Sequence, residues 1–319
     1  MVTIVQGGTI ILEPKDIKAI VRAAVLKCVS DLDFKDYSTA RAIFDSPEAK
    51  TVKREIIAVG KKLWLREYVD GNGGNISFRI SKDYVLCTPT LCSKADLTPA
   101  SISLVNFENK KIMGASDHTS ELLLHLEIYK AVPSANAVIH CHPPHATAYA
   151  ITGSVPLGDI IPEQEVFIGP VATAPYETPG TKSFAETILP FVRSHNSILL
   201  ENHGIVCWAD TVTHAEWYVE ILENYCRTLI LASQLDGPIR RLAPEKIAAL
   251  LAIKQRLRLP DARLPAPKNE PDRSVFVTDS VVAAVRPRDR TSRRRDRGLE
   301  DLVRHITAEV IRFASNKRR

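Results

Sequence analysis

The sequence predicts a mixed α/β fold, on three observations. Long stretches carry apolar residues at helical spacing, short apolar runs break off at histidine, glycine or proline as strands do, and the two kinds interleave along most of the chain. With 319 residues, 45% hydrophobic and 25% charged, there is apolar material for one large core or two modest domains.

The first stripe, Ile17, Ile20, Val21 and Val25, predicts a helix over Pro14–Ser30 with Pro14 near its start. A second, made of Val52, Ile56, Val59, Leu63 and Trp64, predicts a helix from Pro47 to about Tyr68. Gly71 to Ser77 is then a glycine-rich turn into a strand. It has neither the spacing of a dinucleotide-binding fingerprint nor the lysine of a phosphate loop, and by itself it reads as a hairpin turn. Tyr84–Thr88 is a strand opening into a loop of small hydroxyl and proline residues. Val105–Phe107 and Lys111–Met113 suit a hairpin across Glu108-Asn109.

His118-Thr119-Ser120-Glu121 starts a further helix, with Thr119 or Ser120 as its cap and Leu122, Leu123, Leu126, Ile128 and Tyr129 as its apolar surface. A helix N-terminus bearing two hydroxyls suits a phosphate, because its free N–H groups and dipole both favour an anion. Glu121 alone reads as a carboxylate balancing that dipole, and His125 as a packed helix histidine.

The densest signal is AVIHCHPPHATA, Ala137 to Ala148. Alternate side chains of a strand share a face, so His140 and His142 project together before Pro143 and Pro144 end the strand. Ser197 to Val206 repeats the pattern, running apolar residues into His203 and then glycine. Three imidazoles at strand ends would form an open zinc-type site with a position left for substrate. Thr213–Leu235 and Pro244–Leu257 read as the last two helices of the main body.

The net charge of +5 is unevenly spread: Arg286 to Arg297 holds seven arginines against two aspartates, the remainder to Arg319 adds +2, and residues 1–285 carry −2. A body without basic excess removes the electrostatic support for a nucleic-acid function. The start of the chain lacks the basic region and apolar length of a secretory leader, and no run approaches a membrane span. Six scattered cysteines in mainly apolar contexts suit buried, reduced thiols, so a cytoplasmic location without integral membrane association is expected.

Six of these pieces, in order and at matching spacing, resemble the class II aldolase/adducin family: GGNIS (73–77), CTPT (87–90), TSE (119–121), AVIHCHPPHATA, APYETPGT (174–181) and ILLENHG (198–204). The resemblance covers roughly residues 50–235. It implies an α/β/α sandwich around a central, mostly antiparallel sheet, assembled as a homotetramer with sites at subunit interfaces. It further implies one Zn2+ per subunit held by His140, His142 and His203, with Glu121 as general acid/base and as a fourth ligand when substrate is absent. Asn75, Thr90, Thr119 and Ser120 match positions that hold the substrate phosphate. Leu91 departs from the glycine of fuculose-phosphate aldolases, so that part of the pocket is shaped differently. Their neighbour-donated tyrosine has no counterpart here, leaving Glu163 and Glu165 as weak candidates for the second proton transfer.

The implied reaction is zinc-dependent aldol cleavage of L-fuculose 1-phosphate or L-rhamnulose 1-phosphate to dihydroxyacetone phosphate and L-lactaldehyde. A 4-epimerase or dehydratase of sugar phosphates on the same site is the alternative enzyme. An adducin-like binding protein is the alternative of another class, disfavoured because the three histidines and Glu121 are all present.

Composition changes after Leu259, dividing the chain into 1–259, a Pro/Arg-rich linker 260–297 and a terminal amphipathic segment 298–319. In the last, Leu299, Leu302, Val303, Ile306, Val310 and Phe313 fall within an arc of roughly 100°, a stripe too small to be stable without a partner. This tail resembles the encapsulation peptides that carry enzymes into bacterial microcompartments, which implies shell or cargo proteins as partners and the compartment lumen as destination. Docking onto its own tetramer, or onto an anionic membrane or nucleic acid, are the other readings.

Overall fold

The computed structural model describes residues 34–264. The helix expected at Pro14–Ser30, the linker beyond Leu264 and the terminal segment 298–319 lie outside the described residues. In chain order the elements are α1 (Phe34–Phe44), α2 (Pro47–Leu65), β1 (Asn75–Arg79), β2 (Tyr84–Cys87), β3 (Ser103–Asn106), β4 (Lys111–Met113), α3 (Leu122–Ala131), β5 (Ala137–Cys141), α4 (Pro144–Thr152) and α5 (Pro162–Phe167). They continue with β6 (Ala172–Ala174), α6 (Lys182–Glu186), β7 (Ser197–Leu200), β8 (Gly204–Ala209), α7 (Val212–Ala232) and α8 (Pro244–Leu257).

The strands form a single eight-stranded sheet in the order β4-β3-β2-β1-β5-β8-β7-β6. Every neighbouring pair is antiparallel except β6 with β7. Helices cover both faces, so the α/β/α sandwich with a mostly antiparallel sheet is the observed fold. On one face Val52, Ile56 and Leu63 of α2, Ala146 and Ala150 of α4, and Val219 and Leu222 of α7 pack over Ile76, Ile139 and Cys207. On the other, Leu122, Leu126 and Tyr129 of α3 and Phe184 of α6 pack over Val85, Val138, Ile198 and Val206. Burying a valine, leucine or isoleucine side chain of this kind contributes about 1.5–3 kcal/mol.

Local signals explain the helix starts. Ser46 caps α2 by accepting from the Ala49 N–H at 3.0 Å ahead of Pro47, and Thr211 caps α7 by accepting from the His214 N–H at 3.1 Å. Trp64, placed in the α2 stripe by its spacing, is instead 46% exposed, while the rest of that stripe is buried.

Two expectations are corrected. The glycine-rich turn is not a hairpin but the connection from α2 into β1. Gly74, at φ +69°, runs so close to β5 that a Cβ there would sit 3.1 Å from the His140 carbonyl oxygen. Neither Thr119 nor Ser120 caps α3. The helix begins at Leu122 with Glu121 in the cap position and no side-chain cap bond. The Thr119 N–H is already committed to the Thr88 carbonyl at 3.1 Å, beside the Pro89–His118 bridge, which holds the segment in extended pairing until Ser120.

Candidate metal centre

The alternation of β5 assigns its side chains. Ala137, Ile139 and Cys141 enter the core beneath α2, α4 and α7, whereas Val138 and His140 face the side covered by α3. Asn75, the first residue of β1, pairs in register with His140. β8 lies on the other side of β5 and leads back through Gly204 to His203. The close approach of these chain segments requires that glycine: a Cβ at position 204 would fall 2.5 Å from the Cys141 carbonyl oxygen and 2.7 Å from the His142 ring.

The result is one cluster. His140, His142 and His203 offer ring nitrogens that all lie within 4.8 Å of one another. The Nε2 atoms of His140 and His142 are 3.1 Å apart, and the Glu121 carboxylate reaches His140 Nε2 at 3.2 Å and His203 Nε2 at 3.5 Å. Asn75 donates its side-chain N–H to the same carboxylate at 2.9 Å. Sequence reasoning therefore named the residues the fold brings together here, from four separate elements.

Electrostatics shows what this constellation can hold. His140 donates its Nδ1–H to the Ile205 carbonyl at 2.8 Å, which leaves the lone pair of Nε2 facing the cluster. Burial, reinforced by the neighbouring His142 and His203, pushes the His140 pKa well below the ordinary 6.5, and burial with His142 lowers His203 to about 4. His140 and His203, held neutral, then bring unshared electron pairs to one cluster, an arrangement that a cation relieves. Burial raises the Glu121 pKa above 4.5, against the Asn75 hydrogen bond and the charge of His142 that lower it. A carboxyl whose charged form burial disfavours is suited to taking up and giving back a proton. The donor set thus fits a borderline metal such as zinc.

The four expected phosphate contacts occupy the surrounding loops. Asn75 is buried with Oδ1 unpartnered, Thr119 is buried with its hydroxyl accepting from the Glu121 N–H at 3.3 Å, and Ser120 is exposed. Thr90 is tied in through its N–H to the Asp117 carbonyl at 3.0 Å. Leu91 has a left-handed backbone of the kind glycine favours, φ +52°, and is 81% exposed. Gly180, in the APYETPGT loop, closes over Ser120: a Cβ there would stand 3.2 Å from the Ser120 carbonyl oxygen.

Glu165 is 1% exposed and accepts from Arg263 at 2.8 Å and the Asp159 N–H at 2.6 Å, a packing role rather than proton transfer. Glu163 is exposed and lines a 780 Å³ cavity with Arg66, Tyr68, His145 and Glu220.

Two residues outside the motifs brace the histidine cluster. Asp70 lies 3.5 Å from His142 Nδ1. Glu223 of α7, almost wholly buried, accepts from the His145 N–H (3.1 Å), the Ala146 N–H (2.8 Å) and the His145 ring (2.6 Å). It thereby satisfies the first N–H groups of α4, which begins two residues after His142. Both contacts join distant or featureless segments, and no spacing signal points to either.

Comparison with known proteins agrees with this geometry. Residues 54–230 match the family described as Class II Aldolase and Adducin N-terminal domain. The chain is 33% identical over 181 residues to a Methanococcus maripaludis protein named L-fuculose phosphate aldolase, covering 57% of this chain and 97% of the relative. It is 27% identical over 205 residues to an Escherichia coli O6:H1 protein named 3-oxo-tetronate 4-phosphate decarboxylase, covering 63% and 95%. A solved structure named L-fuculose 1-phosphate aldolase superposes with a TM-score of 0.58 at 25% identity, covering 67% of this chain and 98% of that one.

Proposed function

The chain belongs to the class II aldolase/adducin family as one of its lyase enzymes, and from that premise we propose that it cleaves a deoxyketose 1-phosphate, L-fuculose 1-phosphate or L-rhamnulose 1-phosphate, to dihydroxyacetone phosphate and L-lactaldehyde. The observation that carries the proposal is the convergence of His140, His142, His203 and Glu121 beside the Asn75, Thr90, Thr119 and Ser120 loops. The three histidines would hold Zn2+, which when bound supplies positive charge to the substrate oxygens that become anionic as the bond breaks.

The protein's own groups do the rest. Glu121, with its raised pKa, passes a proton to the carbon left electron-rich by cleavage and removes it in the aldol direction. Asn75 holds the carboxylate through Oε2, fixing its aim, while Oε1 faces the histidine cluster 3.5 Å from His203 Nε2. The hydroxyls of Thr90, Thr119 and Ser120 anchor the phosphate, so that binding energy remote from the reacting bond orients it. Asn75 Oδ1 and its amide lie between the two tasks.

Decarboxylation of a 3-oxo acid phosphate is the second reading, favoured by the relatives that carry that name. Both reactions leave electrons beside a carbonyl, and the products separate them. Incubation of metal-loaded protein with each substrate class is expected to release dihydroxyacetone phosphate from the 1-phosphates; carbon dioxide release from the acid alone would replace the proposal with the second reading.

Residues 1–259 form the enzyme in this account, working as a homotetramer. Residues 260–297 link it to the segment 298–319, which would carry it to a microcompartment shell. A fluorescent protein fused to 260–319 is expected to form puncta in cells making compartments, and diffuse signal there would refute that role.

A further inference from the structure

Lys94 is a buried cation whose charge no mechanism above uses. It is 1% exposed, and its ammonium donates to the Asn72 carbonyl at 3.1 Å and the Cys92 carbonyl at 2.6 Å. Among the described residues no carboxylate pairs with it. Helix α2 walls it in, for a Cβ at Gly60 would lie 3.0 Å from the Lys94 carbonyl oxygen. The two carbonyls it joins lie close in sequence to two of the four phosphate contacts, Asn72 three residues before Asn75 and Cys92 two residues after Thr90, while Thr119 and Ser120 sit on a third segment.

A charge taken out of water costs free energy that two neutral acceptors repay only in part. Burial accordingly pushes the Lys94 pKa below its ordinary 10.5, against a smaller opposing pull from the neighbouring Cys92. A cation kept at such cost between two loops waits for an anion. The phosphate dianion expected at those loops has the charge to supply it, and the low dielectric that penalises the free ammonium strengthens the pairing. Resting on the phosphate reading of Asn75, Thr90, Thr119 and Ser120, we propose that Lys94 is the positioning residue of the phosphate pocket: it ties the Asn72 and Cys92 loops together and furnishes the countercharge of the substrate phosphate.

This role has a signature that a purely structural lysine lacks. Neutralising Lys94 removes an uncompensated charge from the empty protein, so Lys94→Gln, which can still donate to both carbonyls, is expected to melt at or above the wild-type temperature in phosphate-free buffer. The same substitution is expected to weaken inorganic phosphate by at least about tenfold in calorimetry and to abolish the phosphate-dependent rise in melting temperature. Zinc stoichiometry should stay unchanged. A Lys94→Gln protein that melts well below wild type or fails to fold, or one stabilised by phosphate as strongly as wild type, would overturn the proposal. Wild-type protein that phosphate and phosphate monoesters leave unstabilised would instead overturn the phosphate reading itself.

Discussion

Glu223→Ala tests whether the metal centre is held from behind. In the structure this carboxylate takes the first free N–H groups of α4 and the ring N–H of His145, at 2.6–3.1 Å, with its side chain 4% exposed. A hydrogen bond to a charged group is worth about 1.5–3 kcal/mol and a buried donor left unpaired costs about 1–3 kcal/mol. Water reaches the partly exposed His145, so one strong bond and one orphaned N–H dominate, and the expected loss is about 3–4 kcal/mol. For a domain of this size that is a fall in melting temperature of about 6–15 °C. Because α4 begins just beyond His142, the loosened loop should also weaken zinc by about 10–100-fold. Circular dichroism melts and competition with a zinc-binding dye measure the two effects, with Glu127→Ala, at an exposed Lys130 pair, as control. A melting temperature within about 2 °C of the control, or lost stability with zinc affinity intact, would refute the reasoning.

Other consequences follow from particular contacts. Gly204→Ala places a methyl against the Cys141 carbonyl and the His142 ring, so zinc stoichiometry should drop well below one per subunit by elemental analysis even where the protein remains folded. Asp261 and Lys254, both fully buried and 2.9 Å apart, fasten the segment after α8 to α5 through Glu165 and Arg263. Burial opposes ionisation of Asp261, but the hydrogen bonds of Arg263 and the charge of Lys254 outweigh it and hold its pKa at about 2 instead of 3.8. A depressed carboxylate stabilises the fold above the unfolded pKa and loses that contribution as pH falls from about 4 to 2, here about 2 kcal/mol. Denaturant titrations should therefore show the wild-type advantage over Asp261→Asn shrinking through that window, and an advantage constant with pH would contradict the assignment.

The sheet and its site were legible wherever the chemistry was local. Strands ending in histidine announced themselves because an apolar run, an alternation and a turn residue fall within a dozen positions, and α2, α7 and α8 because their stripes repeat over several turns. β6, only three residues long, and the short helices α4, α5 and α6 carry too few periods to register. The start of α3 was misplaced because the Thr119 hydroxyl accepts from the Glu121 N–H in the turn before the helix, and the helix begins only at Leu122 with Glu121 in the cap position. Glu223, Asp70 and Lys94 act across long sequence separations or through backbone carbonyls, so only the fold reveals their partners. Glu165, one of two candidates offered for the second proton transfer, proved to be bound by Arg263, a residue beyond the family motifs.

Glu121, poised beside three imidazoles that could hold a metal, is proposed to move the proton in a carbon–carbon cleavage. The most direct test is dihydroxyacetone phosphate release from L-fuculose 1-phosphate and L-rhamnulose 1-phosphate by wild type and Glu121→Gln, each with and without chelator and with metal content measured. The account predicts chelator-sensitive release by wild type and a fall in kcat of about 10²–10⁴-fold in a variant that still binds metal. Equal rates in the two proteins at equal metal content, or release untouched by metal removal, would contradict it.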